Sequence, residues 1–196
     1  MQLKKEPFVK LIRSYVKMHA DRGFVPYRNV SGSVQGAETV LRIAGQALNE
    51  GDSLRAVRVG FCVIEEMADL LQMCDDSDGI VGGLIEETLG LIAAATAKTS
   101  DTLSSKEKRL LLDMILKETR LGKLGDWRIS LLESAVHLVE DAGTRQLWED
   151  CVRKFEDQDG INEWDSYFTR EVAMLKYRLI ERFDGQQSAA DYLRAN

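Results

Sequence analysis

The stretch from Asp52 to Ala97 limits what this chain can become more than any other. It joins a run of helical periodicity, an acidic turn (Asp75-Asp76-Ser77-Asp78-Gly79) and a second, markedly apolar run. In the first run Leu54, Val57, Phe61, Ile64, Ala68 and Leu71 recur at alternating spacings of three and four, so they share one face of a helix. Val63, Met67 and Leu70 widen that face, and Arg55, Arg58, Glu65, Asp69 and Gln72 form the polar stripe opposite. The second run, Ile80 to Ala97, carries Glu86 and Glu87 as its only charges. A helix apolar around most of its circumference needs packing partners on several sides. Gly82, Gly83 and the glutamate pair interrupt it too much for a bilayer span, so the expected partners are protein.

The rest of the chain follows the same grammar. Its two prolines, Pro7 and Pro26, leave everything after Tyr27 free to be helical, and no alternating strand pattern is present. The expected class is all-α, with about nine helices. A first amphipathic helix covers about Lys4 to Asp21, with Phe8, Leu11, Ile12, Tyr15 and Met18 facing inward, and Gly23 ends it. Phe24-Val25-Pro26-Tyr27-Arg28 forms an extended link, because the residue before proline avoids the helical region. Ser31-Gly32-Ser33 supplies a turn and an N-cap. Residues 1–28 are thus read as a basic helix and linker, and 29–196 as a helical-repeat domain.

Four antiparallel helix pairs are expected in that domain. They are Val34–Glu50 with Ser53–Cys74, Ile80–Ala97 with Ser105–Leu121, Arg128–Ala142 with Arg145–Phe155, and Ser166–Phe183 with Ser188–Ala195. Glycine follows an apolar run at Gly51, Gly143 and Gly185, as a left-handed helix end requires. The gaps of 92 and 42 residues suggest a unit of about 40–46, the period of helix-pair solenoids, with the Thr99–Ser104 loop filling the missing step. The acidic turn is echoed 81 residues on by Glu156-Asp157-Gln158-Asp159-Gly160. Ser104 and Glu107 form a capping box.

The turn motif invites a calcium reading, which its register refuses. With Gly79 at loop position six, Cys74 and Ile85 occupy the first and last positions, where acidic ligands are needed. The expected role is structural: Asp78 caps the next helix and sets negative charge at its positive dipole end, beside Asp75 and Asp76. Gly82 and Gly83 would then let another backbone approach closely.

Charge is unevenly distributed. Residues 1–28 hold seven Lys/Arg against two Asp/Glu, hence +5, and the remainder is −11. Neutralising phosphates requires clustered positive charge, so nucleic acid is not an expected partner. Lys10, Arg13 and Lys17 form the most polarised surface stripe and, with Tyr27 and Arg28, are the candidate partner-binding residues. Their expected counterpart is an acidic protein surface or the acidic body of a second copy.

Chemistry-bearing constellations are sparse. Glu65-Glu66 and Glu86-Glu87 raise a carboxylate-bridged metal pair, but that chemistry wants Glu-x-x-His on each of two helices, and the nearest approach is Glu133 with His137, four apart. Cys62 lies on the polar stripe with Arg58, Glu65 and Asp69, where it would be partly exposed, but no motif sets His19 or His137 beside it as a base. Cys62, Cys74 and Cys151 are odd in number and widely spaced, and no signal peptide opens the chain, so free thiols in the cytoplasm are expected. Trp127, Trp148 and Trp164 sit near the later turns as core plugs or hot spots. No catalytic, cofactor-binding or metal-binding residue is assigned, and no small-molecule substrate is expected.

Two segments carry a family resemblance: Arg22-Gly23-Phe24-Val25-Pro26-Tyr27-Arg28, and Asp75-Asp76-Ser77-Asp78-Gly79-Ile80-Val81-Gly82-Gly83-Leu84-Ile85-Glu86. Leu179-Ile180-Glu181-Arg182-Phe183-Asp184-Gly185-Gln186-Gln187-Ser188-Ala189-Ala190 adds a weaker match. From about Asp21 onward the chain resembles the helical-repeat region that follows the zinc finger in bacterial SWIM-type zinc-finger proteins. The resemblance implies a tetratricopeptide-like α-α superhelix of poorly defined role. The finger's CxC…CxH ligands are missing here, so no zinc or nucleic-acid role comes with it. The expected function is a non-enzymatic protein-interaction scaffold. A nucleic-acid accessory module using the first helix, and an enzyme whose deep pocket gathers several of Glu65, Glu86, Glu133 and His137 with perturbed ionisation, are the alternatives.

Overall fold

The computed structural model describes residues 5–98, 103–120, 122–158 and 166–195. Among them are nine helices of ten or more residues and one short one, and no β-strand. They are α1 (Glu6–His19), the short α2 (Val30–Ser33), α3 (Gln35–Asn49), α4 (Ser53–Leu71) and α5 (Ile80–Ala97). Then follow α6 (Ser105–Glu118), α7 (Trp127–Val136), α8 (Ala142–Gln158), α9 (Ser166–Asp184) and α10 (Gln186–Ala195). The chain is all-α, as its periodicity requires.

Local signals account for several helix ends. Asp52 accepts the backbone N–H of Arg55 at 2.9 Å and starts α4. Ser104 and Glu107 exchange hydrogen bonds as the expected capping box, Ser104 N–H donating to Glu107 Oε2 at 3.0 Å. Gly51 and Gly185 turn left-handed, at φ +82° and +88°. Gly143 does not. It lies in the first turn of α8, whose start is made by Asp141: the Thr144 N–H donates to its Oδ1 at 2.7 Å. Here an acidic cap opens a helix where the glycine suggested one closing, so the spacing argument loses one of its three markers. The Glu156–Gly160 echo ends α8 through 158 and otherwise falls outside the described residues, as do 99–102 of the Thr99–Ser104 loop and Trp164.

α4 lies at the centre, packed closely on α3 and α5 and flanked by α1 and α6. α5 finds its closest neighbours in α4 and α7 rather than in α6, its expected partner. α5 is long and apolar enough to cross a membrane by length and composition alone. Here Val81, Ile85, Leu89 and Ile92 are buried in the core, and its outward stripe is Gly83, Glu86, Glu87 and Gly90. Helices two apart also touch: α3 with α5, α4 with α6, α5 with α7, α6 with α8, and α7 with α9. Trp148 is fully buried, its indole N–H donating to the Leu132 carbonyl at 3.0 Å.

α1 is seated by two close crossings. A Cβ at Gly36 of α3 would come to 3.0 Å from Ile12 Cα and the Leu11 carbonyl oxygen. One at Gly32 would collide with the His19 ring. Residues 30–33 are therefore a short helix packed under α1, and Ser31-Gly32-Ser33 is not a capping turn. Ile12 is fully buried, while Met18, expected inward, is 73% exposed and Val16 packs against the core in its stead. After α1 the link bonds to the end of α4. Val25 N–H donates to the Met73 carbonyl at 2.8 Å, and Asp75 N–H donates to that of Val25 at 3.0 Å.

Candidate functional site

The polar stripe of α4 is the floor of an open channel. α1 forms one wall, and α6 with the turn at 122–124 forms the other. The stripe stays polar because α3 and α5 occupy the opposite, apolar faces of α4. The wider part holds about 670 Å³, with Arg58, Glu65 and Asp69 below, Lys5 at the start of α1, and Leu110, Met114 and Glu118 on α6. A second hollow of about 640 Å³ shares Arg13, Glu66 and Asp69 and continues to Val16, Ala20, Leu70 and Met73.

Three ion pairs cross this channel. Lys5 Nζ meets Glu65 at 2.5 Å. Arg13 donates through Nε and Nη2 to the two oxygens of Glu66, at 2.8 and 2.9 Å. Lys123 meets Asp69. Glu118 completes the set differently. It is 6% exposed, and its Oε1 finds no hydrogen-bond partner among the described residues. Burial, and then the neighbouring Glu65 carboxylate, push its pKa from the ordinary 4.5 up to about 7, against the pull of Lys5. The Cys62 thiol, fully buried beneath this group, is pushed up to about 11 chiefly by burial. It is inert at neutral pH, which corrects the partly exposed position expected for it. Its thiol donates to the Arg58 carbonyl at 3.4 Å.

The fate of the basic stripe is mixed. Arg13 is spent on Glu66, and Lys10 pairs with Glu6 one turn before it at 2.7 Å. Lys17 is exposed and lines the second hollow. Tyr27 donates its hydroxyl to Asp78 at 2.5 Å, and Arg28 is exposed. The acidic turn is structural, but the expected cap is wrong by two residues. Asp76, not Asp78, takes the free N–H groups of α5, from Val81 at 2.8 Å and Gly82 at 3.0 Å. Gly79 makes this reach available by turning left-handed at φ +70°, and Asp75 folds back onto Ser77. No backbone approaches Gly82 or Gly83: a Cβ at Gly82 would meet Asp76 and Trp127 at ordinary contact distance, and one at Gly83 would meet nothing within 4 Å.

Glu86, Glu133 and His137 do come together, in a shallow hollow of about 600 Å³ between α5 and α7, away from Glu65. Glu133 is held there by Arg178 at 2.8 Å. Among the described residues no group of three or more His, Cys, Asp or Glu has the arrangement to hold a metal. Sequence reasoning found Arg13 and Glu65, weighed Glu66 only as half of a carboxylate pair for a metal, and missed Glu118; both Glu66 and Glu118 sit on apolar flanks of their helices. The one available signal was a charged residue in register with the core positions of α6: Glu118 follows Leu111 and Ile115 at intervals of four and three. The site is thus a charged channel on an all-helical body. No known protein family, curated protein or solved structure matches the chain.

Proposed function

We propose that this chain is a non-enzymatic scaffold that docks a protein partner in the channel over α4. The helices form a tetratricopeptide-like stack of helix pairs, a reading supported by the contacts between helices two apart. It belongs to the same broad kind as the helical region beside SWIM-type fingers, and acts in the cytoplasm. The observation that carries the docking reading is the channel itself. Ionic groups line its length, and Leu110 and Met73, both exposed, give its edges apolar grip. A polar surface interrupted by exposed Met and Leu side chains suits a peptide or helix better than a compact substrate.

The test is site-specific photo-crosslinking in the source cells, with the photoreactive residue at Leu110 and, as a control, at Met174, exposed on α9. The scaffold reading requires a discrete adduct from Leu110, weakened by Met114→Asp and not formed from Met174. An adduct at a multiple of the 22.1 kDa chain identifies the partner as a second copy. Equal adducts from both positions, or none from either, overturn the reading.

A further inference from the structure

Among the described charged groups of the channel, three acids have a basic partner and one does not. Glu65, Glu66 and Asp69 are matched by Lys5, Arg13 and Lys123. Glu118 is more buried than any basic group around it, and one of its oxygens is left without a donor among the described residues. An unsatisfied buried oxygen is costly to the fold, so a ligand that brings an N–H group to it gains what the fold forgoes. The walls over it are Phe61, Leu110 and Met114, apolar and, for Met114, adaptable. An aliphatic stem would lie along these walls while its charged head reached the carboxyls beneath.

We propose that the Glu65–Glu118 carboxyl pair is a pocket for a guanidinium, the side chain of an arginine on the docked protein partner. This rests on the docking reading above and names the group that would anchor it. A guanidinium fits better than an ammonium because Lys5 already supplies one compact charge to Glu65. A planar fork with five N–H donors can address two carboxyls at once, where a second ammonium would compete with Lys5 for Glu65. The other cations near the pair, Arg58 and Lys117, lie nearer the rim, Lys117 being exposed, where water screens their repulsion of a second cation.

Binding is tied to protons. A guanidinium pairs with the ionised form of Glu118, so occupancy releases the proton held there. The groups facing Glu118 are Glu65, Glu66, Asp69, Arg58 and Cys62 of α4, Arg13 of α1 with Lys5 just before it, and Lys117 and Lys123 on its own side. On the far side of α6, Cys151 of α8 lies against Thr119, and Glu140 takes Lys108. Burial raises Glu118 into the neutral range, which makes it the group that gates binding.

The experiment titrates the full-length protein, carrying carboxyl-13C glutamate, with Nα-acetyl-arginine methylamide and follows the Glu118 carboxyl by NMR. The expected result is a selective shift of that signal, and a dissociation constant that falls by up to about tenfold per pH unit below the carboxyl midpoint. Glu118→Gln abolishes both the shift and the pH dependence, and Lys5→Met, which vacates half the pair, tightens binding. The norleucine analogue, of equal stem and no charge, leaves the signal in place. No shift at the highest soluble arginine probe, a stronger response to the glutamate analogue, or unchanged binding in Glu118→Gln would overturn the pocket. Loss of the probe response with the Leu110 adduct intact sinks the pocket alone. A probe response without the adduct sinks the scaffold and leaves a small-molecule site.

Discussion

Arg13 on α1 holds Glu66 on α4 through two parallel hydrogen bonds of 2.8 and 2.9 Å, so a residue read from sequence as free surface charge is a tie between wall and floor. Glu66 is almost wholly buried, and Arg13 remains mostly in water. Removing the arginine leaves a desolvated carboxylate without its fork. Arg13→Ala should cost about 1–2 kcal/mol, and Arg13→Lys most of that, because an ammonium cannot reproduce the bidentate geometry. Urea melts of the three proteins decide it. Equal midpoints would mean that the pair contributes nothing.

Glu118 gives the fold a pH dependence of unusual sign for a carboxylate. Its pKa is higher folded than unfolded, about 7 against 4.5. Between those values the folded chain holds a proton that the unfolded chain has released, so stability falls as pH rises. The loss is complete above the folded midpoint and amounts to about 3 kcal/mol. Glu118→Gln should therefore be more stable than the parent at pH 8 and nearly indistinguishable from it at pH 4.5. A difference that grows toward acid would contradict the assignment.

The acidic turn offers a paired comparison. Asp76 closes two N–H groups of α5, whereas Asp78 only takes the hydroxyl of exposed Tyr27. Asp76→Ala should cost about 1–2 kcal/mol, the range of a lost N-cap, and Asp78→Ala less than about 0.5 kcal/mol. Thermal unfolding separates them by several degrees. The reverse order would restore Asp78 as the cap.

Trp148 joins α7 to α8 both by bulk and by its N–H bond to Leu132. Trp148→Leu should cost about 3–4 kcal/mol, from the space left and the carbonyl stranded in the core. Its indole also makes a convenient probe, since a fully buried ring resists acrylamide quenching until the chain unfolds. Quenching of the native Trp148 signal, read in a Trp127→Phe, Trp164→Phe background, would show the ring to be accessible.

Helix identity was legible because it lives in spacing. The 3.6-residue period of α4 and the apolar run of α5 fix their class whatever surrounds them, and the Asp52 and Ser104 caps mark the starts of α4 and α6 with local hydrogen bonds. Pairing was less legible. α5 prefers α4 and α7 to the next helix in sequence, a choice made by which faces are left apolar after the first hairpin closes. The candidate site was half visible. Arg13 and Glu65 lie on stripes that periodicity exposes, but Glu118 and Glu66 occupy positions that pattern alone assigns to the core. Only the meeting of three helices reveals that these buried acids border a channel. Asp76 and Asp78 show the same limit at short range, since a left-handed Gly79 moves the cap two residues back along the chain.

At Gly36 the seat of α1 is decided by something missing. With only hydrogen on that Cα, the main chains of α1 and α3 lie close enough for Ile12 to sink fully from view. A single methyl there would have to lever α1 outward, and the displacement would surface on its far flank, where Arg13 and Lys5 reach for α4. The breadth of the trough is thereby written into a residue that never borders it.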